Sequence, residues 1–309
     1  MKLSYLYYTI LEKPFFIDLR RVDSRAVLID RLLSHDTDID GRRLSQREPL
    51  AHCVATPIPG GTLVGPAASA SDPTATATAT LGNFDEAPEG SVAVIPLKGD
   101  MLKQGTWCSY GTEELASLLM EAVRSKKIIG TVLDVDSGGG SVDAIAPLLT
   151  AIGESRAAGK PVVAGCDLCA SAAYWVACHT NRVVAVNDLS AEFGSIGVMM
   201  QFADYQKYYE ERGIKVHTIY SDLSGYKNAP FEAALKGDYK AIKDEVLNPL
   251  ARQFQQAVRS QRPALDEKTE GVLNGRMFFA RDALKVGLID RVGNGLQTAI
   301  DEVVSLSYN

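Results

Sequence analysis

The chain is poor in the groups that most often carry catalysis or bind metal. Its 309 residues hold four histidines, His35, His52, His179 and His217, and these are scattered. No HxxxH pair exists among them, so a zinc cluster is not suggested. Five cysteines, an odd number in a long chain, do not make a disulfide framework. Cys166 and Cys169 form one CxxC with no second CxxC to complete a zinc site. A redox pair stays open for them beside a reading as buried core thiols. Positive charge is also short, with a formal net charge of −6 and a pI of about 5.4. That balance argues against nucleic acid as the main partner, because phosphate binding needs clustered Lys and Arg. No stretch reaches the roughly 18 apolar residues that span a bilayer. The opening "MKLSYLYYTILEKPFF" is broken by Glu12, Lys13 and Pro14 and lacks a small-residue cleavage site, so no secretory signal is expected. A cytoplasmic protein follows as the expectation. The nucleotide-binding spacings GK[ST] and GxGxxG and the GxSxG elbow of hydrolases are missing as well.

What is present falls into three parts. Residues 1–65 contain apolar segments ("LSYLYYTIL", "RAVLIDRLL") and no sign of chemistry. Residues 66–90 open with "PAASASDPTATATAT", small and polar, and read as a linker or long loop. From residue 91 strands alternate with helices. "SVAVIPL", "IIGTVLDVD", "KPVVAGC", "RVVAV" and "IKVHTIY" read as strands, with "SGGG" a tight turn after the second. "TEELASLLMEAVRS", with Thr112 as N-cap, "SVDAIAPLLTAIGESRAAG", closed by Gly159, "SAAYWVAC" and "ADYQKYYEERG" read as helices. A long helical stretch runs over 232–261, with Pro249 marking a break or restart. Its apolar positions Val246, Leu250, Phe254 and Val258 suit either subunit packing or packing on their own domain. The alternation predicts an α/β domain over 91–309 with a mainly parallel sheet.

In such folds sites form at the carboxyl ends of strands. Three turns are expected there: "DSGGGS", "CASAA" and "SDLSGYKNAP". Glycines 138–140 can expose backbone N–H groups to an oxyanion, or simply link a strand to a helix. Ser171 opens a helix directly after a strand. It reads either as a small packing residue or as a nucleophile, and a nucleophile needs a base. His179 lies about two helical turns further on, out of reach within one helix. Lys227, in a Gly-containing loop, can serve only if its pKa falls from about 10.4 towards 7–8. A solvated loop lysine is the other reading.

The order of these motifs resembles the signal peptide peptidase A family of serine peptidases, related in fold to the ClpP/crotonase superfamily. "VLDVDSGGGSV" is similar to that family's oxyanion strand and turn, "ASAAYWVA" to its nucleophile helix, "FGSIGVMM" to the segment that follows and "YSDLSGYKNAPF" to its lysine loop. "NPLARQFQQAVRSQR" and "LNGRMFFARDALKVGLIDRVG" resemble its closing helices, so the likeness covers roughly 88–300. It implies a ClpP/crotonase-like α/β fold and a Ser–Lys endopeptidase. Ser171 would be the nucleophile and Lys227 the base. Gly139, Gly140 and Ala172 would supply an oxyanion hole, and Ser195 would be structural or help orient Lys227. No metal or cofactor is implied.

Asp136 and Gly138 stand where the family has Asn and Pro, which puts the rigidity of that turn in doubt. "SAAYW" with "GSIGVMM" looks more like the phage and prophage branch. That branch implies capsid or scaffold proteins as substrates, a phage prohead within the host cytoplasm as a location, and a homo-oligomer. The alternatives are a cytosolic peptidase that degrades signal peptides, an inactive assembly protein, and a crotonase-like acyl-CoA enzyme, against which the lysine loop argues.

Overall fold

A computed structural model of the chain describes residues 84–105, 109–202, 204 and 206–308. Of the residues before 84 it describes the backbone of three short strands, β1 (Phe15–Ile17), β2 (His52–Val54) and β3 (Thr78–Thr80). His35 and Cys108 lie outside the described residues, as does all but those strands of the expected N-terminal region and linker.

The order that follows is β4 (Ser91–Met101), α1 (Thr112–Arg124), β5 (Ile128–Ser141), α2 (Ile145–Ala157), β6 (Val162–Ala170), α3 (Ala172–Ala177), β7 (Arg182–Ala185) and β8 (Glu192–Gly194). Then come α4 (Gln206–Glu211), α5 (Ala229–Leu235), α6 (Asn248–Gln261), β9 (Met277–Phe279), α7 (Ala280–Lys285), β10 (Arg291–Val292) and α8 (Gln297–Ser307). The sheet order is β10-β7-β6-β5-β4-β2-β3. Strands β10 to β4 are parallel to their neighbours, while β2 joins β4, and β3 joins β2, antiparallel. This is the parallel sheet with flanking helices that the alternation predicts.

The near-continuous apolar strands follow from burial on both faces. Along β4, Ala93, Ile95 and Leu97 point to the larger core shared with α1, α2, α3 and α6. Val92 and Val94 point the other way and meet Val132, Val163 and Val184 under Ala299, Ile300 and Val303 of α8. The period of two divides one strand between two cores.

Four local expectations need correction. Helix α1 is capped by Gly111, not Thr112, because Glu114 in the first turn reaches back and accepts the Gly111 N–H at 2.9 Å. Thr112 is instead buried, and its Oγ1 is without a hydrogen-bond partner. The "SGGG" segment is not a tight turn. β5 continues through it to Ser141, since β4 extends beside it and pairs Asp100 with Gly139 and Met101 with Gly140. "IKVHTIY" is not a strand and pairs with no strand among the described residues. Ile214, Val216 and Ile219 there are 48%, 70% and 90% exposed. Finally, the 232–261 stretch is not one helix, since α5 ends at Leu235 and Gly237 follows at φ 84°, while Pro249 marks a restart. A π-helical turn at Lys243–Leu247 runs straight into α6, with Pro249 in the first turn, where a missing N–H is tolerated.

Candidate active site

Strand β6 ends at Ala170, and the chain turns at once into α3. The turn falls on Ser171, whose backbone takes φ 55° and ψ −121°. A non-glycine residue at positive φ is costly, of order 1–3 kcal/mol, and persists only when its surroundings enforce it. Here they do. Ser171 N–H donates to Gly194 O at 2.9 Å, extending the parallel pairing of Ala170 with Gly194 in β8. On the far side Trp175 N–H donates to Ser171 O at 2.9 Å, starting the helix. The helix is itself pinned. Tyr174 Oη donates to Leu288 O at 2.7 Å, and the Trp175 ring stacks on Phe254 of α6 with centroids 4.6 Å apart. The face of α6 that could have served an interface is therefore used at home, since Phe254 and Val258 are fully buried in their own chain.

Two neighbours flank Ser171. On the β5 side Ser137 pairs with Cys169, so the glycine segment lies beside the end of β6. Gly140 is there by necessity, because a Cβ on it would overlap the carbonyl of Met101. Ser137 Oγ donates to Gly99 O at 2.5 Å and accepts the Gly139 N–H at 3.1 Å. The Gly139 donor is thus engaged in this conformation. Ala172 N–H lies in the first turn of α3, where helical N–H groups have no acceptor within the helix. On the β8 side Gly194 (φ 126°) and Ser195 (φ 53°) form a second strained corner, and Ser195 N–H donates to Arg276 O at 3.1 Å. A side chain on Gly194 would strike that same carbonyl.

Ser171 is buried, and its hydroxyl makes no hydrogen bond among the described residues. Neither histidine in reach of description attends it. His179 sits past the opposite end of α3, with Nδ1 on Trp175 O at 2.8 Å, and burial lowers its pKa. His217 is exposed in the segment that is not a strand.

Lys227 is not brought to Ser171 within this chain. It is exposed in the 221–228 loop, its N–H donates to Ser224 O at 3.0 Å, and its Nζ has no hydrogen-bond or ion-pair partner among the described residues. The preceding residue anchors the loop, with Tyr226 Oη donating to the Glu245 carboxylate. Upstream the loop is apolar and uncovered, with Ile219 90% and Leu223 97% exposed.

Cys166, Cys169 and Cys178 are free, buried thiols. Burial pushes Cys169 well up and Cys178 to about 12, which leaves both protonated and unreactive. No group of His, Cys, Asp and Glu among the described residues could hold a metal ion. No helix among them is long and apolar enough to cross a membrane.

Sequence reasoning singled out Ser195 as structural or as support for Lys227 but missed the strained backbone corner it makes with Gly194, whose carbonyl accepts the Ser171 N–H. Its signal was the Gly-Ser pair itself, placed where β8 must end beside β6.

Comparison with known proteins adds a family match and three relatives. Residues 154–307 match the model of peptidase family S49. The chain is 32% identical over 220 residues to the chloroplastic serine protease SPPA of Arabidopsis thaliana, which is 68% of this chain and 31% of that protein. It is 28% identical over 207 residues to Protease 4 of Salmonella typhi, 66% of this chain and 33% of that protein. It is 25% identical over 234 residues to capsid assembly protease C of Escherichia phage lambda, 71% of this chain and 52% of that protein. The chain spans about a third of the length of the first two relatives and about half of the third. Its fold is an α/β one, a mainly parallel sheet with flanking helices, as the motif order implies. The segment from the last turn of α2 into α8, which holds Ser171, Ser195 and Lys227, is the part that matches the model of peptidase family S49.

Proposed function

We propose that this chain is a serine endopeptidase that works through a Ser–Lys dyad and an acyl-enzyme. The observation that carries the reading is Ser171 itself, a hydroxyl held at φ 55° between a glycine strand and a helix N-terminus. Strain of that kind presents an Oγ at the end of the sheet with backbone donors beside it. Ser171 Oγ attacks the scissile carbonyl while Lys227 Nζ takes its proton. Gly140 and Ala172 N–H groups stabilise the oxyanion, joined by Gly139 if Ser137 releases it. The amine leaves with the proton, and water hydrolyses the ester. Ser195, at its own strained corner, supports the lysine.

Lys227 must travel to reach Ser171. The uncovered Ile219 and Leu223 beside it favour a closed arrangement in a homo-oligomer, in which the loop is covered and its lysine enters a site. The substrate is an unfolded or extended protein segment. The likeness to a phage capsid assembly protease, together with "SAAYW" and "GSIGVMM", supports capsid or scaffold proteins and a host-cytoplasmic setting. The 91–309 segment is the catalytic unit in this reading.

The test is cleavage of fluorescein-labelled casein by the purified chain and by Ser171→Ala. Turnover should fall by at least about 10³-fold with the fold unchanged. Equal turnover would remove Ser171 from the chemistry. A second reading, an inactive assembly protein, is favoured by the separation of Lys227 from Ser171 and would show as no cleavage by the wild type under any assembled condition.

A further inference from the structure

A strand offers two hydrogen-bonding edges, and the end of β5 uses both. One edge of Gly139–Gly140 pairs with Asp100 and Met101 of β4. The other belongs to β6 as far as Ser137 opposite Cys169. Beyond that point β6 turns away through Ser171 and gives the edge up. Continued along the strands, that register sets Gly139 level with Ser171. Into the vacated edge comes β1, antiparallel, with Phe15 opposite Ser141, Phe16 opposite Gly140 and Ile17 opposite Gly139. With β4 on one edge, β1 lies on the edge that borders Ser171, and its chain runs from Ser141 towards the serine.

We infer that residues 15–17 occupy the place of an extended substrate backbone, so the chain carries its own competitor: an N-terminal strand that masks the site and must leave before a peptide enters. The inference rests on the reading of Ser171 as nucleophile. The ligand class is an extended peptide recognised through its main chain by addition to a sheet edge, a mode in which backbone pairing supplies affinity. Three paired residues form a short, reversible contact. Attachment to the same chain compensates, since a tethered segment is presented at an effective concentration of about millimolar. Substrate therefore meets a gate that opens by strand exchange.

The test uses the 309-residue chain in a Ser171→Ala background, so that binding is read without cleavage. The probe is a fluorescein-labelled synthetic peptide with the sequence of residues 10–22, followed by anisotropy. Phe16→Pro removes a backbone N–H and disfavours a paired strand, whereas Phe16→Val keeps one. The Phe16→Pro chain should bind the probe at least about tenfold more tightly than its parent, because the open fraction rises. Phe16→Val should bind like the parent. Hydrogen exchange over residues 136–144 supplies a second measurement on the parent alone, where protection is expected. Equal binding by all three chains, or rapid exchange at Gly139–Ser141 in the parent, overturns the inference. If Phe16→Pro binds more tightly but Ser171→Ala still cleaves casein, the nucleophile assignment fails and the masking strand stands. If Ser171→Ala is inert and binding does not change, only the masking strand falls.

Discussion

The two halves of the proposed dyad are held in opposite ways. Ser171 is buried, with its backbone bonded to Gly194, its helix stacked through Trp175 on Phe254 and tied through Tyr174 to Leu288. Lys227 sits on a loop with little but a turn hydrogen bond and the neighbouring Tyr226–Glu245 contact to define it. Strain can be stored only where packing enforces it, so the serine arrives preformed. The lysine has no such frame within one chain and depends on what covers Ile219 and Leu223. A site divided in this way can be switched by assembly without touching its nucleophile.

The largest expected effect breaks the comparison directly. Ser171→Ala and Lys227→Met chains should each be inactive alone, and co-assembly should restore a measurable fraction of wild-type cleavage if one copy's lysine serves another's serine. No recovery, with mixed assemblies verified by mass, would mean the loop closes within its own chain.

The next effect is on stability and should differ between the halves. Trp175→Ala removes a stacked, buried ring and should cost about 3–5 kcal/mol in denaturant unfolding. Leu223→Ser should change monomer stability by no more than about 0.5 kcal/mol while weakening assembly, because the leucine is 97% exposed among the described residues. Similar losses from both would erase the distinction between a packed and an unpacked half.

The smallest effect concerns pH. Burial lowers the His179 pKa below that of the unfolded chain, so the unfolded state binds the proton better. Its contribution to stability is present above about pH 6.5 and is lost as pH falls through the folded value. His179→Gln should therefore flatten the decline of the urea midpoint between pH 7 and pH 5. It should leave cleavage intact, since Nδ1 is committed to the Trp175 carbonyl at the far end of α3.

The strongly patterned parts of this fold were legible from residues. "SVAVIPL" and "KPVVAGC" read as buried strands because they are apolar on both faces, and α2 is closed by Gly159 just past its end, with Lys160 N–H donating to Ser155 O at 2.9 Å. Ser171 was legible as a strand-to-helix turn, though its positive φ was not, since no residue type announces a conformation that neighbours impose. The glycine segment misled for a related reason. Three glycines permit a turn, but β4 runs alongside and holds them extended. "IKVHTIY" misled in the opposite sense: its apolar content and β-branched residues suit a strand, and strand pairing needs a partner edge that local sequence cannot supply. Thr112 suits a cap chemically, yet Glu114 satisfies the preceding residue first.

The most direct test of the account is fluorophosphonate labelling at fixed time, with the modified residue identified by mass spectrometry. In the wild type the adduct should lie on Ser171. His179→Ala and His217→Ala should label at the wild-type rate, while Lys227→Met and Lys227→Arg should both label far more slowly, because a guanidinium stays protonated and cannot accept the serine proton. An adduct on another residue, or wild-type labelling of Ser171 in Lys227→Met, would contradict the Ser–Lys dyad.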